Sequence, residues 1–113
     1  MLQNRPRRLR KNPIIREMIA ETRLSKDMFV YPYFVTNGKK AIQPIAAMPG
    51  INRFSIDTLL KDVEKGLKIG VNKILLFGVG EKKKDDGSTA HHDHSIVADA
   101  VRELKKNSEK IFM

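Results

Sequence analysis

Three histidines and an aspartate stand side by side at His91, His92, Asp93 and His94. Imidazole and carboxylate are both zinc ligands. Neighbouring loop residues seldom converge on one ion, and no cysteine or Glu-x-x-His pair completes a set. A surface loop with incidental histidines is the better reading, with His94 or Ser95 leading into the next helix. Lys73 lies in an apolar run, where a desolvated amine becomes a nucleophile for Schiff-base chemistry. It sits near the amino end of that run, however, and a lysine snorkelling to the bottom of the fold suits it better. Phe77 and Gly78, at the carboxyl end, are better placed to wall a substrate pocket, although a plain core Phe fits Phe77 equally well. "GVGEKKKDDG" brings glycines together with Lys82, Lys83 and Lys84. It lacks the G-x-x-x-x-G-K-[ST] pattern and opens no helix within a few residues, so a solvated loop is expected rather than a phosphate cradle.

The densest charge is at the start. Arg5, Arg7, Arg8, Arg10 and Lys11 carry no acid among them. Nucleic-acid recognition needs stacking aromatics or a reading helix beside such cations. The first aromatic is Phe29, and nothing resembles a recognition module. The arm therefore predicts a protein partner, and no nucleic-acid partner is expected.

These residues need elements to hold them. Asn12-Pro13 is a helix start, with Asn as N-cap and Pro in the first position. The spacing of Ile15, Met18 and Ile19 predicts a short helix to about Thr22. "MFVYPYFV", residues 28–35, reads as a buried strand, with Pro32 demanding an edge-like or irregular place in it. Asn37-Gly38 is a turn signal. The stretch "KKAIQPIAAMPGINRFS" is a long connection, too broken for a helix. Ser55 can cap a helix whose apolar face is Ile56, Leu59, Leu60, Val63 and Leu67, with Gly70 as its stop. "VNKILLFGVG", 71–80, is almost continuously apolar, which predicts burial on both faces in a parallel sheet. A polar loop of about fifteen residues follows, long enough to suggest function. Val97, Ala100, Val101 and Leu104 face the next helix inward, and "KIFM" at 110–113 begins another strand. Strands alternating with helices predict an α/β fold with its site at the carboxyl ends of the strands.

The totals set limits. With 113 residues, one small domain is expected. A 41% hydrophobic and 31% charged composition predicts a globular chain rather than a disordered one. There is no cysteine, which excludes disulfides and thiolate metal sites within these residues. No apolar run approaches the ~18 residues of a membrane span, and no secretory h-region follows the N-terminal charges. The arm lacks the serines of an organelle transit peptide, so the cytoplasm is expected and no membrane partner. The net charge of +9 leaves a second class open. That is a small basic α/β module holding an acidic partner or nucleic acid through the arm and Lys82, Lys83 and Lys84. A third is a fragment that docks on intact subunits through its arm.

Five stretches, in order, resemble one family: "RPRRLRKNPIIREMIAET", "DMFVYPYFV", "AAMPGINRFSID", "ILLFGV" and "KDDGSTA". That family is δ-aminolevulinic acid dehydratase, also called porphobilinogen synthase. The resemblance implies an enzyme that condenses two molecules of 5-aminolevulinate to porphobilinogen for haem and other tetrapyrroles. It implies a TIM (β/α)8 barrel, a pair of active-site lysines, and either zinc on a cysteine cluster or magnesium. It also implies a homo-oligomer, an octamer, held by the arm through Arg5, Arg7, Arg8 and Arg10. A whole barrel takes about 250 residues. The expectation is therefore a basic oligomerisation arm (1–12) and a short helix, leading into a truncated barrel domain (13–113) of about two to three βα units. The family's lysines and metal ligands match no position here, so neither Lys73 nor Lys82, Lys83 and Lys84 takes their role. No catalytic residue and no bound metal is expected in this chain, and it is expected to be inactive alone.

Overall fold

A computed structural model describes residues 7–80, 84, 86–108 and 110–113. Arg8–Arg10 form a single 3-10 turn, followed by α1, Pro13–Met18. The Asn12 side chain accepts the Ile15 N–H at 2.9 Å, which fixes where α1 starts. Its end comes earlier than the expected Thr22. The helix buries no residue, and a short helix without tertiary packing has little to extend it. Ile14 and Met18 stay 76% and 71% exposed.

The first strand, β1, is Tyr31–Thr36. It starts later than the 28–35 run predicted, because Lys26–Met28 close a 3-10 turn. The stretch from Lys39 to Ser55, expected as a long broken connection, carries strands instead. It holds an antiparallel hairpin of β2, Ile42–Pro44, and β3, Asn52–Phe54, and β3 then pairs parallel with β1. With β4, Ile74–Val79, the sheet order is β2-β3-β1-β4. Pro32 is accommodated by this order. The Tyr31 N–H donates to the Lys73 carbonyl at 2.9 Å, so alternation turns the Pro32 nitrogen to the other side. There β3 pairs only with Phe34 and Val35, so the missing donor has no ladder to break.

Two helices cover one face of the sheet: α2, Ile56–Lys68, and α3, Ile96–Asn107. Their predicted apolar faces meet Tyr33, Val35 and Ile74 in a core where Leu59, Val63, Ala100 and Leu104 are buried. The Tyr33 hydroxyl points toward Asp62 of α2 at 3.4 Å, and burial pushes its pKa up. Gly70, at φ +92, closes α2 in the left-handed conformation that glycine tolerates. Beyond α3, Phe112 exchanges backbone hydrogen bonds with Asn72 and Ile74, so a further parallel pairing begins there. The expectation of burial on both faces of β4 is corrected. Ile74 is buried, but Leu75 and Phe77 are 50% and 45% exposed, because among the described residues no element lies over the face opposite the helices.

Ser55 caps α2 differently from the usual pattern. Its hydroxyl makes no bond to the first-turn N–H groups. Instead Oγ bonds Asp57 and accepts the Ala41 N–H at 2.9 Å, while Thr58 Oγ1 donates to the Ala41 carbonyl at 2.8 Å. Asp57 accepts the Lys40 N–H at 2.8 Å, which braces Lys40 at its unusual φ of +53. The start of α2 is thereby tied to the chain entering β2. The Ser55 hydroxyl does most to hold the Asp57 carboxyl below the usual carboxylate range; desolvation opposes it, and the Lys40 N–H adds a lesser pull downward. A folded-state pKa below the unfolded value stabilises above the unfolded pKa of about 3.9. That contribution is lost as pH falls through the lower folded value. Asp57→Asn is expected to lower the melting temperature at neutral pH and to flatten its decline in acid. Parallel pH profiles for the two proteins would refute this.

Candidate functional site

A cleft of about 880 Å³ opens at the carboxyl ends of β1 and β4. Asn37 reaches it from the turn after β1, and Gly78 and Gly80 from the end of β4. The long polar loop supplies Lys84, Gly87, Ser88, Thr89, His92 and His94, and the start of α3 supplies Ser95, Ile96 and Val97. Local hydrogen bonds shape that loop. Asp86 accepts the Ser88 N–H at 3.0 Å, and this bond holds the Asp86 carboxyl low. Gly87 takes φ +68 and accepts the Ala90 N–H at 2.9 Å. His92 accepts the Ser95 N–H on its carbonyl at 2.8 Å and the His94 N–H on its ring Nδ1 at 3.2 Å. Ser95 then caps α3 by accepting the Ala98 N–H on Oγ at 3.3 Å.

The back of the cleft is set by Gly78. An added Cβ there would lie 2.7 Å from Val97 Cγ2 and 3.0 Å from Ile96 Cγ2, so only glycine lets α3 come this close. Strand alternation sends Phe77 the other way. It stacks on Phe34 on the uncovered face, with ring centroids 5.4 Å apart and planes at 22°. Phe77 and Gly78 are thus separated by the sheet, and Gly78 alone of the pair lines the cleft.

Other candidates are scattered. Lys73 lies at the amino end of β4, its Nζ donating to Asn72 at 3.3 Å, far from the cleft. Lys84 lines the cleft, while Lys82 and Lys83 fall outside the described residues. His91, His92, Asp93 and His94 are all exposed. His94 Nδ1 approaches Asp99 at 3.6 Å, and Asp99 is already bonded to Arg102 at 2.8 Å. Among the described residues no three His, Asp or Glu side chains converge as metal ligands would. Arg7, Arg8 and Arg10 are exposed on the arm, away from the cleft lining; Arg5 lies outside the described residues. Asn37 and Ser88 escaped a reading by residue type, since polar loop residues carry no periodic signal.

The cleft offers amides, hydroxyls, one lysine and the imidazoles of His92 and His94. These can hold a polar group, but among the described residues neither imidazole is hydrogen-bonded to a lining hydroxyl or to Lys84, as a nucleophile and its base would be. The sequence profile of the delta-aminolevulinic acid dehydratase family matches residues 3–113. The chain belongs to that family. The delta-aminolevulinic acid dehydratase of Bacillus subtilis is 40% identical over 104 residues, covering 92% of this chain and 32% of its own length. That of Streptomyces coelicolor is 46% identical over 103 residues, with 89% and 31% covered. The crystal structure of the Toxoplasma gondii dehydratase in complex with its reaction product porphobilinogen superposes with a TM-score of 0.83 at 28% identity. It covers 98% of this chain and 32% of that one. The chain therefore spans about a third of the length of these dehydratases. The family is metal-dependent in general. With no cysteine in the sequence and no converging ligand set among the described residues, the donors present do not fit a resident metal. No helix of the described residues is long and apolar enough to cross a membrane.

Proposed function

We propose that these residues form the opening part of a porphobilinogen synthase barrel, which as a whole condenses two molecules of 5-aminolevulinate to porphobilinogen. The observation that carries the reading is the family match across residues 3–113, supported by the superposition on a product-bound dehydratase. In this reading β1 and β4 are the first two barrel strands, and the pairing at Phe112 begins the third. Phe77, on the face that a closed barrel would enclose, walls the substrate pocket, while Gly78, the other call at this strand end, borders the cleft on the helix side. Residues 1–12, with Arg5, Arg7, Arg8 and Arg10, are an oligomerisation arm that docks on a neighbouring copy in a homo-octamer. The exposed Leu9, Ile14 and Met18 supply apolar surface beside those cations. The Schiff-base lysine and the zinc or magnesium ligands belong to residues outside these 113, and the enzyme works in the cytoplasm.

The test is direct. The 113-residue chain, given 5-aminolevulinate with zinc or magnesium, is expected to form no porphobilinogen. Mixed with a polypeptide carrying the remaining two thirds of the B. subtilis dehydratase, it is expected to restore turnover. Turnover by the chain alone would overturn the first expectation. A folded mixture of the two pieces with no turnover would overturn the reading itself.

A further inference from the structure

We propose that Asp57 is a positioning residue for the cleft: its carboxylate latches the loop that carries Asn37 in a strained form, which relaxes when the latch is lost. Asn37 alone among the described lining residues comes from the connection between β1 and β2. Residues 37–40 run as exposed bends outside any ladder. Gly38 and Lys40 both have positive φ there, +115 and +53. Glycine accepts such a backbone freely. Lysine does not, because its Cβ crowds the following carbonyl. Lys40 is the only non-glycine residue at positive φ among the described residues, and strain of that kind persists only where the surroundings hold it.

What holds it comes from the first turn of α2. Ser55 is fully buried and donates its hydroxyl to one oxygen of Asp57. The other oxygen accepts the Lys40 N–H at 2.8 Å. One residue on, Ala41 is gripped at both its polar groups, the N–H by Ser55 Oγ and the carbonyl by Thr58 Oγ1. Before the loop, Thr36 is fixed in the ladder opposite Val79. Both ends of the loop are therefore pinned, and the route between them is set at Lys40. The cost of a left-handed lysine and the gain from one charge-assisted hydrogen bond are of similar size and opposite sign. The bond thus decides how the loop lies. Asp57 also stands where a carboxylate favours the positive end of the α2 dipole. That role steadies the helix without reaching Asn37, so the two roles part at the loop.

NMR of the 15N-labelled chain reads the loop through the Asn37 side-chain amide, assigned by its loss in Asn37→Ala, and through exchange of the Ala41 N–H. Asp57→Ala is expected to shift the Asn37 signals and to speed Ala41 exchange about tenfold, the equivalent of one modest hydrogen bond. Lys40→Gly removes the strain. In that background Asp57→Ala is expected to leave both readouts as they stand in Lys40→Gly alone, although α2 loses the same carboxylate. A carboxylate that served only α2 would give equal changes in both backgrounds, and that result overturns the proposal. So does an Asn37 signal indifferent to Asp57→Ala when Lys40 is present. Lys40→Gly by itself is expected to hold or raise the urea midpoint, since glycine lowers it only where φ is ordinary. A clear fall overturns the strain on which the proposal rests. Should Asp57→Ala fail to fold, Asp57→Asn, which keeps one acceptor oxygen, is read in the same two backgrounds. Smaller shifts are then expected with Lys40 and none with glycine, and equal shifts overturn the proposal as before. None of these readouts depends on turnover, so they stand apart from the function proposed above.

Discussion

Gly78→Val is expected to destabilise the chain by about 3 kcal/mol or more, at the upper end of the usual cost of overpacking. The first added atom already meets Val97 and Ile96 at 2.7 and 3.0 Å, and valine brings two more. Neither neighbour can turn aside easily, because β-branched side chains in a helix hold one χ1 rotamer. Nor can the backbone yield cheaply on either side. The Ser95 cap fixes the start of α3. On the other side, Gly78 lies within the ladder with β1, one pair from its carboxyl end, opposite Val35, which is fully buried. The predicted response is a lifting of α3 that widens the cleft. Urea denaturation measures the cost, and Gly78→Ala is expected to fall between wild type and valine. Unchanged midpoints in both variants would show that α3 is not packed as tightly as the geometry requires.

Leu59→Ala is expected to cost about 2–5 kcal/mol, the range for emptying a closed core site. Leu59 is fully buried where α2 meets the sheet. Leu75→Ala removes the same atoms from β4 but is expected to cost much less, because Leu75 is half exposed on the uncovered face. The contrast between these two leucines tests a one-sided core. An ordinary domain holds only about 5–15 kcal/mol in total, and a chain whose sheet is covered on one face starts near the lower limit. Leu59→Ala is therefore expected to populate unfolded chain without denaturant, seen as lost near-ultraviolet signal at 25 °C. Equal losses at Leu59 and Leu75 would mean that both faces are covered in solution.

Both long helices were legible because each buries one face. Ile56, Leu59, Val63 and Leu67 must repeat at helical spacing for α2 to seat, and the sequence records that necessity. The same logic explains the error at β4. A continuous apolar run reports what a strand is built to touch, while the exposure of Leu75 and Phe77 reports what lies over it. The hairpin was illegible for a different reason. Three residues per strand are too few to show alternation, and Pro44 ends β2 with a residue that usually marks a loop. Gly78 was found as part of a strand end, but its need to be glycine appears only when α3 is placed against it.

The strand order carries a consequence for the sequence of events in folding. β2 and β3 are joined by residues 45–51, a loop closed by the Ile45 N–H donating to the Ile51 carbonyl at 3.0 Å, and hairpins form in roughly 1–10 μs. The β1–β4 ladder must wait for that hairpin and all of α2 to be threaded between its strands, and long closures slow folding. β1 pairs with both β3 and β4, so its pairing with β4 is expected to come after the hairpin has formed. Ile42→Ala in the hairpin's outer strand is then expected to act on the folding arm of a chevron plot, whereas Leu59→Ala, beneath the late junction, should act on the unfolding arm. The reverse partition would mean that the central strand assembles first.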